Sequence, residues 1–196
     1  MTLAATVITV SDEIAEGRDE NRAGPLAVEL LAGFDVTARL VVVADDAAAI
    51  AAAVSSAMAD GSRVVITSGG TGIGPRDVTV DAVAPLLSYR LPGIGEEIRR
   101  RGAAAHVTAA LVSREVAGVV VGEPSTFVLA APGSRGGIRD AVEVVGPLLD
   151  YLVGQLDGAR QDGRTAVGLT SPTERSQHPR PAGGAGGAPA RGRGRR

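Results

Sequence analysis

Several residue types that carry common enzyme chemistry are missing from this chain. Cysteine is absent, and all 20 residues counted as lysine plus arginine are arginine. Without cysteine there is no disulfide, no thiolate nucleophile and no zinc–sulfur site. Without lysine there is no Walker A phosphate loop, because that motif requires a Gly-Lys-Ser/Thr sequence. Any phosphate must therefore be held by backbone amides, arginine, hydroxyl groups or a metal.

Histidine and aromatic residues are scarce. The two histidines, His106 and His178, lie far apart, so neither a histidine metal cluster nor a Ser-His-Asp triad is expected. Aromatic residues make up 2% of the chain and hydrophobic residues 44%, so the core has to be built from Val, Leu, Ile and Ala. Such a composition is typical of buried parallel strands under alanine-rich helices.

The sequence contains no candidate membrane segment. The N-terminal residues 1–5 lack the basic region and following apolar run of a signal peptide. No apolar run approaches the roughly 20 residues that a membrane span requires. A cytoplasmic protein without a membrane partner is therefore expected.

Composition divides the chain into a patterned body and a tail. We predict one domain over residues 1–157 and a disordered tail, rich in Gly, Pro and Arg, over residues 158–196. The tail carries eight arginines against two acidic residues, a net charge of +6, so the body carries −8 of the total −2. A nucleic-acid partner acting through the tail is not favoured, because the body is acidic.

Strand and helix patterns alternate along the body. Strands are predicted at residues 4–10, 36–43, 64–67, 117–122 and 126–131, the last two adjacent or paired as a hairpin. Helices are predicted at residues 25–31, 47–58, 79–87 and 96–101, followed by a long final helix up to residue 156. This alternation predicts an α/β fold: a three-layer sandwich with a mostly parallel sheet and helices on both faces.

The third predicted strand runs into a glycine-dense loop that reads Ser68-Gly69-Gly70-Thr71-Gly72 and continues through Arg76 and Asp77 into a helix. Glycines let backbone N–H groups approach an anion, and a helix start adds partial positive charge. The loop therefore predicts the binding site of a phosphorylated ligand. Arg76 is suited to pair with that phosphate or simply with Asp77.

Polar residues follow the other predicted strands as well. Ser11 and Asp12 follow the first, Asp45 and Asp46 the second, and residues 132–137 the last. Ligands of open α/β sheets bind beyond the carboxyl ends of the strands, so these loops are expected to converge on one cleft.

Asp45 and Asp77 are the candidate metal ligands of this cleft. Carboxylate oxygens suit Mg²⁺, and a bridging metal would reconcile two carboxylates with a bound phosphate. The alternative for both residues is a structural role as a helix N-cap.

These residues resemble a known family, the molybdopterin adenylyltransferases of the MogA/MoaB type in molybdenum cofactor biosynthesis. The resemblance covers residues from about 5 to 156 in matching order and spacing. Its segments are Val10-Ser11-Asp12, Thr67-Ser68-Gly69-Gly70-Thr71-Gly72, Arg76-Asp77-Val78-Thr79, Pro92-Gly93-Ile94-Gly95-Glu96-Glu97-Ile98-Arg99, Leu111-Val112-Ser113-Arg114 and Pro132-Gly133.

The resemblance implies a homotrimer that transfers an adenylyl group from ATP, with Mg²⁺, to molybdopterin, giving adenylyl-molybdopterin and pyrophosphate. It implies catalytic, metal-linked roles for Asp45 and Asp77, and it identifies Glu97 with the glutamate of the family's Pro-Gly-Phe-Gly-Glu segment. The implied substrate- and phosphate-binding residues are Ser11, Asp12, Ser68, Gly69, Gly70, Thr71, Gly72, Arg76, Glu97, Ser113, Arg114, Pro132, Gly133 and Ser134.

Two departures from the family pattern leave an alternative function open. Ile94 stands where the family often has phenylalanine, and residues 132–137 replace the usual Pro-Gly-Asn/Gln-Pro loop. The retained Asp45 and Asp77 favour the enzyme, whereas the altered loop favours a non-catalytic molybdopterin-binding or scaffold paralogue. An RNA-associated protein, the third possibility, would show strongly salt-dependent binding that is lost with the tail.

Overall fold

The structure is a computed structural model in which residues 2–158 are described; the predicted disordered tail lies outside the described residues, apart from Gly158. Strands and helices alternate along the described part. The strands are β1 (Leu3–Val10), β2 (Val36–Val43), β3 (Val64–Ser68), β4 (Tyr89–Arg90), β5 (Val116–Val120) and β6 (Thr126–Ala131). The helices are α1 (Asp12–Ala15), α2 (Ala23–Ala32), α3 (Ala47–Ala59), α4 (Thr79–Val83), α5 (Pro92–Ala104), α6 (Arg135–Val145) and α7 (Leu149–Leu156).

The six strands form one sheet in the order β2-β1-β3-β6-β5-β4. The first four are mutually parallel, and β5 and β4 are antiparallel additions at one side. The parallel strands end nearly level, because Val10 pairs with Val43, Thr9 with Ser68, and Ser68 with Ala131. The loops that follow β2, β1, β3 and β6 therefore leave from one edge of the sheet, as the sequence predicts.

Helices cover both faces of the sheet, which confirms the predicted three-layer sandwich. Val64 and Ile66 of β3 belong to the hydrophobic cluster packed under α2, α5, α6 and α7, whereas Val65 belongs to the cluster under α3 and α4. This alternation follows the two-residue period of a strand. The central strands are buried on both faces and read as continuous apolar runs, as parallel strands do.

The prediction of one continuous final helix was wrong. Residues Gly146–Leu148 form a 3-10 turn that separates α6 from α7. Pro147 lies in this turn, and proline lacks the N–H that a continuous helix requires. The backbone of Gly146 also packs against the ring of Phe34, where a Cβ atom would overlap it. The chain therefore changes direction here, although its apolar spacing continues through the break.

Two other helices differ from their predicted limits. Helix α5 begins at Pro92 rather than at Glu96, because proline suits the first helical position. Helix α4 is followed by a 3-10 turn at Ala84–Leu86 that contains proline. The longest helices of the described part have 13 residues, and none of its helices combines the length and apolarity needed to cross a membrane.

The edge strand β4 depends on a glycine in β5. Gly118 pairs with Arg90, the residue after Tyr89, across the two strands. A Cβ atom on Gly118 would overlap the carbonyl oxygen of Tyr89. We expect Gly118→Ala to destabilise the fold by about 1–3 kcal/mol, because the backbone of β4 has to move. Gly122→Ala is the matched control, since a Cβ there would meet only the carbonyl oxygen of Pro124 at 3.6 Å. Urea unfolding of both variants measures the difference, and equal stability would contradict the expected overlap.

Candidate functional site

The loops after the parallel strands are tied to one another by hydrogen bonds. The Ser11 N–H donates to the carbonyl of Val43 (3.0 Å), and the Gly69 N–H donates to the carbonyl of Ala131 (3.1 Å). The Ser68 hydroxyl donates to the carbonyl of Pro132 (3.3 Å). The structure thus brings together the four loops that the sequence predicts to converge.

The loop at residues 69–72, here called the glycine loop, requires glycine at its start. Gly69 has φ of +116° and Gly70 has φ of +63°, conformations that side chains disfavour. A Cβ atom on Gly69 would overlap the carbonyl oxygen of Val10. From the other side, a Cβ on Gly133 would lie 2.9 Å from Gly69 Cα. The glycine loop is therefore enclosed by the loop after β1 and the loop after β6.

Three amides of the glycine loop are available for an anion. Within residues 2–158, the N–H groups of Gly70, Thr71 and Gly72 donate no hydrogen bond to the protein. The N–H of Gly69 is already bound to the carbonyl of Ala131, so three of the four amides of the glycine loop remain available to an anion. Adjacent free amides are the arrangement that binds phosphate oxygens in glycine-rich loops.

Asp45 does not cap a helix. Asp46 is the N-cap of α3, and its carboxylate accepts from the Ala49 N–H at 2.8 Å. Asp45 instead forms a reciprocal pair with Asp12: Asp45 Oδ2 accepts from the Asp12 N–H, and Asp12 Oδ1 accepts from the Asp45 N–H, both at 3.0 Å. Asp45 Oδ1 faces the glycine loop, 3.6 Å from where a Cβ of Gly70 would lie.

The surroundings of Asp45 disfavour its charge. Partial burial raises the pKa of the Asp45 carboxyl above its usual value, and repulsion by Glu13 and Asp77 raises it further. The pKa of Glu13 is lowered, chiefly by a backbone hydrogen bond and by the Ser11 hydroxyl, so Glu13 stays charged and maintains the repulsion. A cation or a network of donors at Asp45 would relieve this repulsion.

Asp77 is not a helix cap either. The N-cap of α4 is Val78, which makes no side-chain cap bond. Asp77 Oδ2 accepts from the Gly74 N–H at 2.8 Å and closes the turn that follows the glycine loop. A Cβ on Gly72 would lie 2.6 Å from the same oxygen, so the carboxylate sits directly against the glycine loop.

Arg76 pairs with Asp12 rather than with Asp77. The Arg76 guanidinium contacts Asp12 Oδ2, with the arginine side chain 67% exposed and the Asp12 side chain 15% exposed. The sequence left open whether Arg76 serves a phosphate or a neighbouring carboxylate. In the described structure it bridges the loop after β3 to the loop after β1, at the mouth of the cleft.

Ser113 and Arg114 brace the glycine loop from the side. The Arg114 N–H donates to the Thr71 carbonyl (2.8 Å), and Arg114 Nε donates to the Gly72 carbonyl (2.7 Å). The Arg114 guanidinium also bonds the Asp77 carbonyl and pairs with Asp81 at 3.1 Å. The hydroxyls of Ser113 and Thr71 lie 3.1 Å apart. Arg114 therefore fixes the backbone from Thr71 to Asp77.

The structure does not bring Glu97 to this cleft. Glu97 accepts hydrogen bonds from Arg100 (2.7 Å) and Arg101 (3.1 Å) on the same helix, and these bonds lower its pKa to about 2. Arg101 in turn reaches Glu143 of α6, so this network lies between α5 and α6. Counted residue by residue, the Pro-Gly-Ile-Gly-Glu segment ends at the exposed Glu96, and the match to the family's glutamate is corrected to that residue.

Two serines of the predicted site cap helices. Ser11 Oγ accepts from the Ile14 N–H at 3.3 Å, at the start of α1. Ser134 Oγ accepts from the Gly137 N–H at 3.0 Å, at the start of α6. Pro132 and Gly133 stand beside Ser68 and Gly69, so the residues that follow β6 contribute backbone more than side chains to the cleft.

Two residues near the cleft were missed by sequence reasoning. Thr79 is fully buried, its hydroxyl has no hydrogen-bond partner among the described residues, and a Cβ on Gly70 would overlap it. The sequence feature that could have pointed to Thr79 is its position in the Arg-Asp-Val-Thr segment, next to Asp77 and Val78. Glu115 follows Arg114 directly and is buried, with one carboxylate oxygen lacking a hydrogen-bond partner in the described part. Nothing in the sequence distinguishes it from an exposed glutamate.

A metal would need ligands from outside the protein. Residues 2–158 contain no group of three or more His, Asp or Glu side chains placed to hold an ion. Mg²⁺ is commonly bound by one or two carboxylates together with water and substrate phosphates. Asp45 and Asp77, which interact electrostatically beside free loop amides, fit that arrangement.

Comparison with known proteins identifies relatives along most of the chain. A family model described as "Probable molybdopterin binding domain" matches residues 6–151. Molybdenum cofactor biosynthesis protein B of Staphylococcus carnosus is 40% identical over 159 residues, which cover 79% of this chain and 91% of that protein. The molybdenum cofactor biosynthesis bifunctional protein of Synechococcus elongatus is 41% identical over 156 residues, or 79% of this chain and 48% of that protein. The chain thus spans about half the length of the bifunctional relatives it matches.

Solved structures share both sequence and fold with the chain. A molybdopterin biosynthesis protein from Mycobacterium abscessus is 40% identical, with a TM-score of 0.75, and the match covers 81% of this chain and 98% of that one. A MogA structure is 34% identical, with a TM-score of 0.72 and coverage of 78% and 99%. The tungsten cofactor synthesizing protein MoaB from Pyrococcus furiosus is 31% identical, with a TM-score of 0.73 and coverage of 82% and 98%.

The raised pKa of Asp45 predicts a pH-dependent stability difference. The charged carboxylate destabilises the folded state at neutral pH, and this cost disappears as the pH falls through the raised pKa. Asp45→Asn removes the charge and keeps an oxygen to accept from the Asp12 N–H. We therefore expect its free energy of unfolding to equal or exceed the wild-type value at pH 7, with the difference shrinking toward pH 4.

Urea unfolding at both pH values tests this expectation. Asp46→Asn is the matched control, because asparagine caps a helix about as well as aspartate and Asp46 is exposed. It should change stability by less than about 0.5 kcal/mol at either pH. An Asp45→Asn variant clearly less stable than wild type at pH 7 would show that the charge stabilises the fold.

Proposed function

Because the chain belongs to the molybdopterin-binding domain family of molybdenum cofactor biosynthesis, we propose that it transfers the adenylyl group of ATP to molybdopterin. The products are adenylyl-molybdopterin and pyrophosphate. One observation carries the proposal: the carboxylates of Asp45 and Asp77 adjoin a glycine loop that has three free amides. This combination suits a metal–triphosphate better than an uncharged ligand.

The reaction requires little covalent chemistry from the protein. An oxygen of the molybdopterin phosphate forms a bond to the α-phosphorus of ATP, and the bond from that phosphorus to the pyrophosphate oxygen breaks. Pyrophosphate leaves with the electron pair. The attacking phosphate is already anionic at neutral pH, since its second pKa is about 6, so no histidine base is needed. Catalysis then depends on positioning and on stabilising negative charge.

Different residues of the cleft bind the phosphate groups and hold the glycine loop in position. The N–H groups of Gly70, Thr71 and Gly72 bind phosphate oxygens, and Arg114 holds the carbonyls of Thr71 and Gly72 in place from behind. Arg76 is mostly exposed, and its one ion pair within residues 2–158 is with the carboxylate of Asp12, so it is free to turn toward a phosphate. Asp12 then remains bound to the backbone of Asp45.

Mg²⁺ is the cofactor we propose, with Asp45 and Asp77 as its protein ligands. When bound, it neutralises charge on the triphosphate and on the departing pyrophosphate. Its binding would also offset the repulsion between the two carboxylates, which contributes to the raised pKa of Asp45. Binding should therefore weaken as the pH falls through that pKa, because the protonated carboxyl is a poor metal ligand.

We propose a homotrimer as the working assembly. The region between α5 and β5 exposes a group of large apolar side chains: Val107 (52%), Leu111 (64%) and Val112 (52%). Such a patch, directly before the bracing residues Ser113 and Arg114, is typical of a contact surface. Light scattering on the purified chain should give about three times its mass of 19.7 kDa, and a monomer at micromolar concentration would reject the trimer.

Product analysis with purified protein, Mg-ATP and molybdopterin tests the proposed reaction. Wild type should give adenylyl-molybdopterin and pyrophosphate. Asp77→Asn keeps an oxygen for the Gly74 N–H but removes the charge, so the rate should fall at least about 100-fold while the fold is preserved. Asp46→Asn, one residue from Asp45 but outside the cleft, should react at the wild-type rate.

The outcome also separates the enzyme from its alternative. Tight molybdopterin binding without pyrophosphate release by wild type would make the chain a binding or scaffold protein. An Asp77→Asn variant that reacts at the wild-type rate would show that Asp77 is not part of the site, although the proposed activity would stand.

A further inference from the structure

A buried hydroxyl that the proposed chemistry leaves unused lies against the glycine loop. Thr79 is the first residue of α4 and is fully buried. Its Oγ1 has no hydrogen-bond partner among residues 2–158. The Thr79 N–H donates to the Gly70 carbonyl at 3.1 Å, so the main chain of Thr79 is attached to the glycine loop. A shift of Gly70 therefore changes the surroundings of this hydroxyl.

Thr79 and Asp45 both border the space that the missing side chain of Gly70 leaves. A Cβ atom built on Gly70 would overlap Thr79 Oγ1, and the next residue that it would meet is Asp45, whose Oδ1 lies 3.6 Å from that point. Asp45 Oδ2 is occupied by the Asp12 N–H, whereas Oδ1 accepts no hydrogen bond within residues 2–158. A donor without an acceptor and an acceptor without a donor thus adjoin the same side of Gly70.

Folding alone does not explain a threonine at this position. A buried hydroxyl without a partner is costly, whereas valine has nearly the same shape and no polar group. Native proteins satisfy nearly all buried polar groups, and exceptions are expected at functional sites. Thr79 lies beside Asp45 and the free loop amides, so it meets that condition. The unused hydroxyl therefore indicates a hydrogen bond that forms when the site is filled.

The partner of the hydroxyl has to be a protein group. Thr79 has no exposed surface, so a molecule in the cleft contacts the loop amides and Asp45 but not Thr79 Oγ1. The Gly70 carbonyl is already bonded to the Thr79 N–H. Asp45 Oδ1 is the neighbouring acceptor that still lacks a donor in the described part of the chain.

We propose that the Thr79 hydroxyl donates to Asp45 Oδ1 when a nucleoside triphosphate and its divalent cation occupy the glycine loop. Thr79 is then a positioning residue, because the bond fixes the direction of the Asp45 carboxylate and leaves a lone pair of Oδ1 for the cation. The two oxygens are not hydrogen-bonded in the structure, but both adjoin Gly70, so a small movement of the loop joins them. The inference rests on the proposed function, in which Asp45 is a metal ligand.

Calorimetric titration of ATP into the full-length chain tests the inference without turnover. ATP is titrated in Mg²⁺ and separately in EDTA, so that the gain in affinity from the cation is measured. Wild type should bind Mg-ATP about tenfold or more tighter than ATP in EDTA, because the cation joins the triphosphate to Asp45. Thr79→Val removes the hydroxyl and nearly preserves the shape, so it should lose most of this gain and keep the wild-type affinity in EDTA. Thr79→Ser keeps the hydroxyl and should retain the gain.

Thr67→Val is the matched control. Thr67 of β3 is also fully buried, and its hydroxyl also lacks a partner in the described part, but it is not among the atoms nearest to the missing side chain of Gly70. Thr67→Val should bind ATP like wild type in both conditions. Without ligand, both valine variants should unfold at the wild-type urea concentration or a higher one, because each loses an unpartnered buried hydroxyl. Thr79→Ser and Thr79→Ala, which differ by the hydroxyl alone, repeat the comparison if Thr79→Val does not fold.

The outcomes separate this inference from the proposed reaction. A gain from Mg²⁺ that is equal in wild type and Thr79→Val overturns the role of Thr79, even if adenylyl transfer is observed. A Thr79→Val variant clearly less stable than wild type without ligand also overturns it, because the hydroxyl then serves the fold. No gain from Mg²⁺ in wild type rejects it together with the proposed Mg²⁺ site. Loss of the gain in Thr79→Val and its retention in Thr79→Ser uphold the inference, even if the absence of pyrophosphate release rejects the proposed reaction.

Discussion

The close approach of three backbone segments at one edge of the sheet is the constraint on which the rest of the site depends. The carbonyl of Val10, the backbone of Gly69 and the backbone of Gly133 touch without room for a side chain. This contact is possible because the parallel strands end level, and a one-residue shift in pairing would remove it. The glycine loop therefore has its shape before any ligand binds, which is the preorganisation that electrostatic catalysis needs.

The acidic residues of the cleft differ in what restrains them. Asp46 caps a helix and faces solvent, whereas Asp45 exchanges backbone hydrogen bonds with Asp12 and keeps one oxygen toward the glycine loop. Asp77 closes its own turn beside the same loop. Repulsion between neighbouring carboxylates is tolerated in the folded state because the hydrogen bonds hold them there. The folded state tolerates this repulsion at some cost in stability, which the Mg²⁺ that we propose would offset.

Arg114 links the glycine loop to a neighbouring cavity. It bonds the backbone of the glycine loop on one side and lines a cavity of about 220 Å³ next to α5 and β5 on the other. On the side of the glycine loop it holds the carbonyls of Gly72 and Asp77, and it also pairs with Asp81. The chain shares its fold with the MogA and MoaB structures, and the side chains of Arg114 and Asp81 hold the glycine loop within that fold.

The sequence by itself determined five of the six strands, most helices, the glycine loop and the convergence of the polar loops, since periodicity and glycine content are local properties. The two-residue strand β4 was not predicted. Only the tertiary structure decided that Asp46 caps α3 instead of Asp45, that Arg76 pairs with Asp12, and that the Gly69 N–H is occupied. The Arg76–Asp12 and Gly69–Ala131 contacts join loops that follow different strands, so they depend on strand register and close packing, and the choice of cap depends on the backbone where α3 begins. Burial of Glu115 is of the same kind, because it arises only when α5 packs against β5.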